Sequence, residues 1–413
     1  MNSFKHSYSY YGYLPLLVII SLLSIIAILF TVDYDVNTIY ASTDQNNPVS
    51  KWNAFTTNAS LEHKLSPPAL ARAYALVHIS IYDALLSSKN VDLENFTGKE
   101  REIVGGAASE VLSYLYPDMK ERIGSFFLTP TLQNQNNTGS DYNLSDTIKA
   151  SEAFQFGQSV GKQVISYAET DESDSIFNGT IPVGECKWTG TDPLEPMAGQ
   201  WKTIILNSGA EIQPPPPLDC KSDEYKKQVL DIVEASKNRT AKQLQDIHFW
   251  GDIPPPAIWN SILSANITSQ GLNITESARA FAYLNIGMYD AGVSTWYTKF
   301  KYWTERPFQA VQELVTEIPT PNFPGYTSGH STFSGAASII LSEIFPQEKE
   351  FYKSCADDAN LSRFSGGIHL MQDCEEGLKV GKMIGNKVVD DMRGAPHTFI
   401  FDDNQTSFNK MVA

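Results

Sequence analysis

Three short segments in the C-terminal half of the chain concentrate side chains that bind anions. The first segment places Lys299 and Arg306 seven positions apart, with Pro307 directly after the arginine. Seven positions are about two helical turns, so both side chains share one face if the helix continues through Arg306. A lysine point charge and a planar arginine fork together suit a tetrahedral oxyanion. Two solvated charges on a helix surface are the alternative interpretation of this segment by itself.

The second segment is a glycine-containing turn that opens a predicted helix. It carries Ser328, Gly329 and His330, and an apolar helical pattern follows it to Phe345. The start of a helix presents free backbone N–H groups, which form a ready anion site. Ser328 adds a hydroxyl donor, Gly329 allows close backbone approach, and His330 is placed to exchange protons with a ligand. An ordinary serine-capped helix with an exposed histidine is the alternative.

The third segment covers residues 362–373 and contains Arg363, two glycines, His369 and Asp373. Arg363 offers a second guanidinium fork. The spacing predicts His369 and Asp373 on one face of the following helix. A carboxylate behind a histidine fixes its tautomer and raises its basicity, which serves a metal-bound histidine and a nucleophilic one alike. A structural histidine is the alternative for His369 by itself.

Together the three segments resemble the signature of the vanadium-dependent haloperoxidase and type 2 phosphatidic acid phosphatase superfamily. The order is K-x6-RP, then SGH, then SR-x5-H-x3-D, and Thr327 is the one departure, because proline often precedes the serine in the family. The matched signature positions are Lys299, Arg306, Pro307, Ser328, Gly329, His330, Ser362, Arg363, His369 and Asp373. Further stretches look like the soluble vanadium chloroperoxidase branch, so the resemblance covers most of residues 50–395: Trp52-Asn53, 67–84, Gln200-Trp201, 214–217 and 252–260.

The resemblance implies an all-α fold of two stacked four-helix bundles, like vanadium chloroperoxidase, and an enzyme that uses vanadate, hydrogen peroxide and halide to make hypohalous acid. It implies that His369 is the axial vanadium ligand, His330 the acid–base group and Lys299 the group that polarises peroxide. The equatorial oxygens would be held by Lys299, Arg306, Ser328, the Gly329 N–H and Arg363.

Two other functions fit the same motif. In a phosphatase of this fold, phosphate occupies the site, and His369 attacks the phosphorus of a small phosphoester. Asp373 then orients His369, and His330 protonates the leaving alkoxide. A non-catalytic surface protein that binds an oxyanion is the third hypothesis, and the intact histidine pair argues against it.

Flanking residues favour the haloperoxidase hypothesis. Trp296 and Phe323 resemble positions that line the halide site in chloroperoxidases, and an aromatic rim lowers the hydration of a halide. Two core aromatics are the alternative. Asp252 lies in a stretch similar to the one that supplies a carboxylate to the acid–base histidine of the family.

The N-terminus predicts export. Residues 7–32 carry no charge, and the nearly continuous apolar run over 14–32 is long enough to cross a bilayer. Lys5 precedes this run and two aspartates follow it, which places the N-terminus in the cytoplasm and the body outside. Residues 1–41 are therefore either a cleaved signal peptide or an uncleaved membrane anchor, and the body is secreted or anchored by this one helix.

Glycosylation and cysteine patterns agree with an extracytoplasmic body. Ten N-x-S/T sequons predict a glycoprotein, at Asn58, Asn95, Asn136, Asn143, Asn178, Asn238, Asn266, Asn273, Asn360 and Asn404. The four cysteines allow three pairings, and the local one joins Cys186 to Cys220 and Cys355 to Cys374.

The body has helical periodicity. Ser66 and two prolines predict a helix start at residue 67. Further helices are predicted at about 147–168, 223–237, 240–250, 276–298, 329–345 and 370–392. The predicted organisation is an N-terminal bundle over 42–170, a Pro/Gly-rich connection over 171–222, a C-terminal bundle over 223–395 and a tail over 396–413.

An internal similarity suggests a duplicated helical unit. Residues 71–84 and 278–291 are identical at eight of fourteen positions, including a shared Tyr-Asp-Ala end. Repeated helical units indicate two stacked bundles, each burying its own apolar faces.

Composition limits the partners. With 31 basic and 47 acidic residues, the net charge is −16, which argues against nucleic acid as a ligand. Cationic side chains gathered in one place therefore point to a small anion rather than to a polyanion.

Overall fold

The computed structural model describes residues 47–89, 96, 98–133 and 151–402. The predicted leader over 1–41 and the sequons at Asn95, Asn136, Asn143 and Asn404 lie outside these residues. Within the described part the only β-structure is an isolated bridge between Lys187 and Thr304, so the predicted all-α class is confirmed. The described α-helices are α1 Pro48–Glu62, α2 Pro67–Ser87, α3 Glu100–Leu115, α4 Lys120–Gln133, α5 Glu152–Ala168, α6 Asp223–Lys237, α7 Ala241–Gly251, α8 Pro255–Gln270, α9 Ile274–Tyr302, α10 Pro307–Ala310, α11 Gly329–Ile344, α12 Lys349–Ser365 and α13 Met371–Met392.

Local sequence signals explain where many helices begin. The Ser66 hydroxyl accepts the Ala69 N–H at the start of α2, with prolines in the first turn, as predicted. Helix α9 begins at a capping box in which Asn273 and Glu276 each accept the other's backbone N–H. The structure adds six helices that were not predicted: α1, α3, α4, α8, α10 and α12. Ser42–Ala413 form one compact unit, and the division of this unit into two bundles stays a prediction.

Helix α2 is the one described helix with the length and hydropathy to span a membrane, but 83% of its apolar window is buried inside the protein. It packs against α9, the longest described helix, most of whose side chains are also buried. Helices α11 and α13 approach each other closely, since a Cβ at Gly381 would lie 2.1 Å from the Thr332 carbonyl oxygen. The two motif-bearing helix starts are therefore fixed against each other.

The similarity between α2 and α9 extends to their contacts. The buried Asp83 carboxylate of α2 accepts the backbone N–H groups of Phe399, Ile400 and Phe401. The equivalent Asp290 of α9 accepts the N–H groups of another three-residue segment: Ile204, Ile205 and Leu206. In each case one carboxylate satisfies three successive donors, so the two helices share a structural role as well as a sequence.

A second repeat lies in the helices that follow. Residues 106–120 and 335–349 are identical at eight of fifteen positions, with a shared Gly-Ala-Ala-Ser start. Helix α3 ends at Leu115 and a short 3-10 turn leads into α4, just as α11 ends at Ile344 and a 3-10 turn leads into α12. Both repeats support duplication of a helical unit. The three anion-binding segments identified in the sequence occur in the second copy alone.

Candidate functional site

Lys299 lies in the last turn of α9 and is fully buried. Its ammonium donates to the carbonyl oxygens of Pro324 at 2.9 Å and Gly325 at 2.8 Å. Burial, reinforced by the nearby Arg306 charge, holds the pKa of Lys299 well below its usual range. The last turn of the helix thus delivers a cation directly to the loop that precedes α11.

Two aromatic rings flank this cation. The Lys299 Nζ is 5.0 Å from the centroid of the Phe323 ring and 5.9 Å from that of Trp296. The two ring centroids are 5.0 Å apart, and both residues are buried. The structure therefore places both predicted halide-site residues against Lys299, where they exclude water from one side of the ammonium.

Arg306 reaches the site by a different route from the one predicted. Helix α9 ends at Tyr302, and Trp303 has a left-handed backbone with φ of 54°. The expectation that Lys299 and Arg306 share a helix face is therefore wrong, because the chain leaves the helix between them. A hydrogen bond to a distant segment holds this turn, because the backbone N–H of Glu305 donates to the Cys186 carbonyl at 3.1 Å.

The Arg306 guanidinium is fully buried and incompletely paired. Its Nε donates to the Phe323 carbonyl at 2.8 Å, and its Nη1 donates to the Ile368 carbonyl at 2.9 Å. Nη1 also lies 2.9 Å from Nε2 of His369. Among the described residues, Nη2 has no hydrogen-bond partner. A buried donor without a partner is costly, so this nitrogen indicates a ligand.

The Ser328–His330 turn forms the start of α11, as predicted. Ser328 is the N-cap, and its own backbone N–H donates to the Asp373 carbonyl at 2.8 Å. His330 Nε2 lies 2.8 Å from the Trp250 carbonyl oxygen, so this nitrogen carries the proton and Nδ1 the lone pair. Burial and the Arg363 charge lower the pKa of His330 well below its usual range, which keeps the ring neutral.

Arg363 supplies the third cation from the last turn of α12. Its Nε donates to the Ser362 hydroxyl at 3.0 Å, and its Nη2 donates to the Ile247 carbonyl at 3.0 Å. Nη1 is 3.5 Å from Nε2 of His330. Burial lowers the pKa of Arg363 to about 10, so the guanidinium is charged at neutral pH.

His369 and Asp373 form a pair, although His369 is not on the helix. Helix α13 begins at Met371, so the predicted single helix face is wrong. Asp373 instead reaches back from the first turn, where its Oδ2 accepts the Leu370 N–H at 3.3 Å and lies 3.1 Å from His369 Nδ1. Nδ1 therefore carries the proton, and the Nε2 lone pair points toward Arg306.

Two pKa shifts fit this pairing. Burial, together with the Arg306 and Lys299 charges, lowers the pKa of His369 well below its usual range. Burial raises the pKa of Asp373 to about 6, against the opposing effect of Lys299 and Arg306. At neutral pH the pair is a neutral imidazole next to a carboxylate.

The charges of the site do not cancel within the protein. Three buried cations face one carboxylate, Asp373, and the described residues contain no cluster of three or more His, Cys, Asp or Glu that could hold a metal cation. Cationic and hydrogen-bonding donors, with one unpaired guanidinium nitrogen, fit a small oxyanion.

Asp252 has a different partner from the predicted one. Its carboxylate lies 3.4 Å from Nδ1 of His248, and its side chain is 54% exposed. His330 is bonded to a backbone carbonyl instead, since Trp250 lies at the end of α7 and presents its oxygen to the site. The predicted carboxylate on the acid–base histidine is therefore wrong, and Asp252 acts on Arg363 through charge alone.

One of the two predicted disulfides is present. Cys186 is bonded to Cys220, and this segment also positions the site, because the Trp188 N–H donates to the Trp303 carbonyl at 2.9 Å. Cys355 and Cys374 are free thiols. The predicted bond between them is therefore wrong, and Cys374 is buried whereas Cys355 is partly exposed.

The sequence analysis missed several groups that complete the site. The carbonyl groups of Ile247 and Trp250 have no signature in sequence, because any residue presents a carbonyl. Ser331 had a signal that went unused, since it occupies the third helical position after a serine cap. Its hydroxyl donates to the Ser328 hydroxyl oxygen at 2.9 Å.

Comparison with known proteins agrees with this fold and motif. No family model matches the chain. A curated relative, the vanadium chloroperoxidase of Curvularia inaequalis, is 22% identical over 394 residues, and the match spans 69% of this chain and 61% of the length of that protein. Among solved structures, a bacterial vanadium-dependent iodoperoxidase matches with a TM-score of 0.70 and 22% identity, over 86% of this chain and 98% of that one. A bacterial vanadium-dependent chloroperoxidase in its holo form matches with a TM-score of 0.64 and 13% identity, over 79% of this chain and 92% of that one. The chain thus has the vanadium haloperoxidase fold, and the sequence match supports its place in the vanadium haloperoxidase-like superfamily.

Proposed function

We propose that the chain is an exported vanadate-dependent haloperoxidase that oxidises halide with hydrogen peroxide to hypohalous acid. The observation that carries this choice is the pair of buried aromatic rings, Trp296 and Phe323, beside the Lys299 ammonium. A phosphoryl-transfer site needs the cations to hold phosphate oxygens, but it does not need an apolar wall such as these two rings form. A weakly hydrated halide needs both the positive charge and the apolar wall.

The protein fits vanadate through its donor set. The side chains of Lys299, Arg306 and Arg363 would hold the oxygens of vanadate, together with the Ser328 hydroxyl and the Gly329 N–H. The unpaired Nη2 of Arg306 is the donor that most clearly lacks a partner without the oxyanion. When bound, vanadate supplies Lewis-acid activation of peroxide without a change of its own oxidation state.

His369 is suited to bind the vanadium of vanadate. Its neutral ring is oriented by the 3.1 Å contact between Nδ1 and Asp373, which leaves the Nε2 lone pair for the ligand. This lone pair faces Arg306 Nη1 at 2.9 Å. The histidine lone pair and the guanidinium donors therefore lie next to each other, as a shared oxyanion would require.

His330 is suited to move protons. The Nε2–H group is fixed on the Trp250 carbonyl at 2.8 Å, so Nδ1 is the nitrogen that accepts a proton from peroxide and returns it to a leaving hydroxide. Its lowered pKa keeps Nδ1 free before peroxide arrives. Lys299 supplies positive charge beside the oxygen that the halide attacks.

Phosphatase activity is the second candidate. The His369–Asp373 pair favours it, because a neutral histidine with its lone pair on Nε2 and a carboxylate behind Nδ1 is also the arrangement of a nucleophile. His330 would then donate a proton to the leaving alkoxide of a small phosphoester.

We further propose that the body lies outside the cytoplasm, either secreted or held at the membrane by the N-terminal apolar helix, and that it is a glycoprotein. The Cys186–Cys220 disulfide supports this location, because such bonds persist in oxidising compartments. The sequons at Asn58, Asn178 and Asn238 lie on exposed residues, as glycosylation requires.

The deciding experiment measures two activities of the purified full chain, with and without added vanadate. We expect peroxide-dependent bromination of a dye that requires vanadate and is lost in His369→Ala. Hydrolysis of p-nitrophenyl phosphate that depends on His369, without any vanadate-dependent bromination, would establish the phosphatase instead. Absence of both activities would favour the non-catalytic oxyanion-binding hypothesis.

A further inference from the structure

We propose that Ser331 is a positioning residue that aims the hydroxyl proton of Ser328 at the bound oxyanion. The inference rests on the proposed oxyanion site. Ser331 is not one of the matched signature positions.

The hydrogen bonds around Ser328 fix the direction of its proton. The Ser328 Oγ accepts the Ser331 N–H at 3.3 Å and the Ser331 hydroxyl at 2.9 Å. A hydroxyl has two acceptor lone pairs and one proton, so both acceptor positions are filled from one side. The remaining proton points away from Ser331, and in the described part of the chain it has no recorded acceptor.

The backbone prevents this arrangement from rotating as a whole. Ser328 donates its N–H to the Asp373 carbonyl at 2.8 Å, and the Thr332 N–H donates to the Ser328 carbonyl at 3.1 Å. The serine is thereby attached to both α11 and α13 at the point where the His369–Asp373 pair begins. A fully buried hydroxyl held in this way has one use for its proton, which is donation into the cationic site.

Ser331 therefore contributes two donors to the Ser328 hydroxyl oxygen, its backbone N–H and its own hydroxyl. A hydrogen bond accepted by a hydroxyl polarises it, which strengthens the Ser328 proton as a donor. A plain helix cap would need the Ser331 N–H alone and would give its hydroxyl no specific role.

The test is calorimetric binding of inorganic phosphate to the full chain in a double-mutant cycle of Ser328→Ala and Ser331→Ala. Ser331→Ala keeps the capping N–H, so the helix start remains. We expect it to weaken phosphate about fivefold, the effect of one lost hydrogen bond. In the Ser328→Ala background, Ser331→Ala should change the affinity less than twofold. Ser338→Ala is the matched control, since this buried hydroxyl of α11 bonds to the Gly335 carbonyl, and its affinity should equal that of the wild type.

Each outcome is decisive. Unchanged affinity in Ser331→Ala, or additive losses in the double variant, would overturn the positioning role while leaving the oxyanion site intact. Failure of the wild type itself to bind phosphate or vanadate would overturn both the inference and the proposed function. If Ser331→Ala does not fold, the matched pair Ser331→Thr and Ser331→Val decides. Threonine keeps the hydroxyl donor and should retain wild-type affinity, whereas valine should lose about fivefold; equal affinities would refute the positioning role.

Discussion

The most informative perturbation is Arg306→Met, which removes the guanidinium but keeps a long apolar side chain. Of the groups in the site, Arg306 has the one buried nitrogen, Nη2, without a partner among the described residues. One hydrogen bond from a charged donor contributes about 1.5–3 kcal/mol, so we expect phosphate or vanadate affinity to fall about 10- to 150-fold. Lys299 and Arg363 remain, so binding weakens rather than disappears.

The variant also leaves the carbonyl groups of Phe323 and Ile368 without their donor, so loss of stability must be separated from loss of the ligand contact. Arg239→Met is the matched control. Arg239 donates to the Ser365 carbonyl at 2.7 Å and the Val315 carbonyl at 2.6 Å, but it does not contact the cations of the site.

Calorimetric titration with phosphate and thermal unfolding without it give the two quantities for each variant. We expect both substitutions to lower the melting temperature and Arg306→Met alone to weaken the anion. Equal phosphate affinity in Arg306→Met and the wild type would refute the conclusion that Nη2 points at an oxyanion.

Four further predictions follow from the same structure. Asp373→Asn removes the charged acceptor of the His369 Nδ1 proton, and bromination should fall about 10- to 100-fold, as measured with the dye assay at saturating vanadate; an unchanged rate would remove Asp373 from the mechanism. Phe323→Ala opens the apolar wall beside Lys299, so the KM for bromide should rise severalfold with little change in phosphate affinity; parallel losses of both would show that the ring only supports the fold. His78 is buried with a pKa lowered to about 3 from 6.5, so the unfolded state binds a proton that the folded state does not, and stability falls as the pH drops below 6.5. His78 and Asn53 are equivalent to Asn285 and Asn260 in the second copy of the repeat with spacing 207, so His78→Asn copies a pair that the chain already uses. This variant should lose up to about 1.4 kcal/mol per pH unit from the slope of unfolding free energy against pH, measured with urea between pH 6.5 and 4; identical slopes in variant and wild type would contradict this. Replacing Cys186 and Cys220 by serine should lower the unfolding free energy by about 3–4 kcal/mol, and an unchanged denaturation midpoint would contradict the disulfide.

Sequence reasoning predicted those parts of the fold that depend on local patterns. The start of α2 follows from Ser66 and its prolines, and the start of α11 follows from the Ser328 cap. The expected cations and both histidines also come together as predicted. These outcomes depend on helix-capping residues, on apolar periodicity and on the spacing of motif residues, and each of these can be read from a short stretch of sequence.

The errors concern contacts between distant segments. Arg306 reaches the site after a left-handed Trp303, which has no glycine or proline to announce the end of the helix. The acceptor for His330 is a backbone carbonyl of Trp250, and a backbone group leaves no residue type to search for. The Cys355–Cys374 bond is predicted from loop length alone, and the structure has both cysteines as free thiols.

The second internal repeat, between residues 106–120 and 335–349, can also be found from the sequence. Its shared Gly-Ala-Ala-Ser start, proline and lysine recur at a spacing of 229 residues, whereas the first repeat has a spacing of 207. A search at one fixed spacing finds the first repeat and misses the second, because the connection between the repeated helices differs in length between the copies.

The most direct test of the oxyanion site is a crystal structure of the full chain grown with orthovanadate. We predict density for a vanadium oxyanion bonded to His369 Nε2, with its oxygens contacted by Arg306 Nη2, Lys299, Arg363 and the Ser328 hydroxyl. Density bound elsewhere, or an Arg306 guanidinium that still donates to His369 at saturating vanadate, would contradict the account.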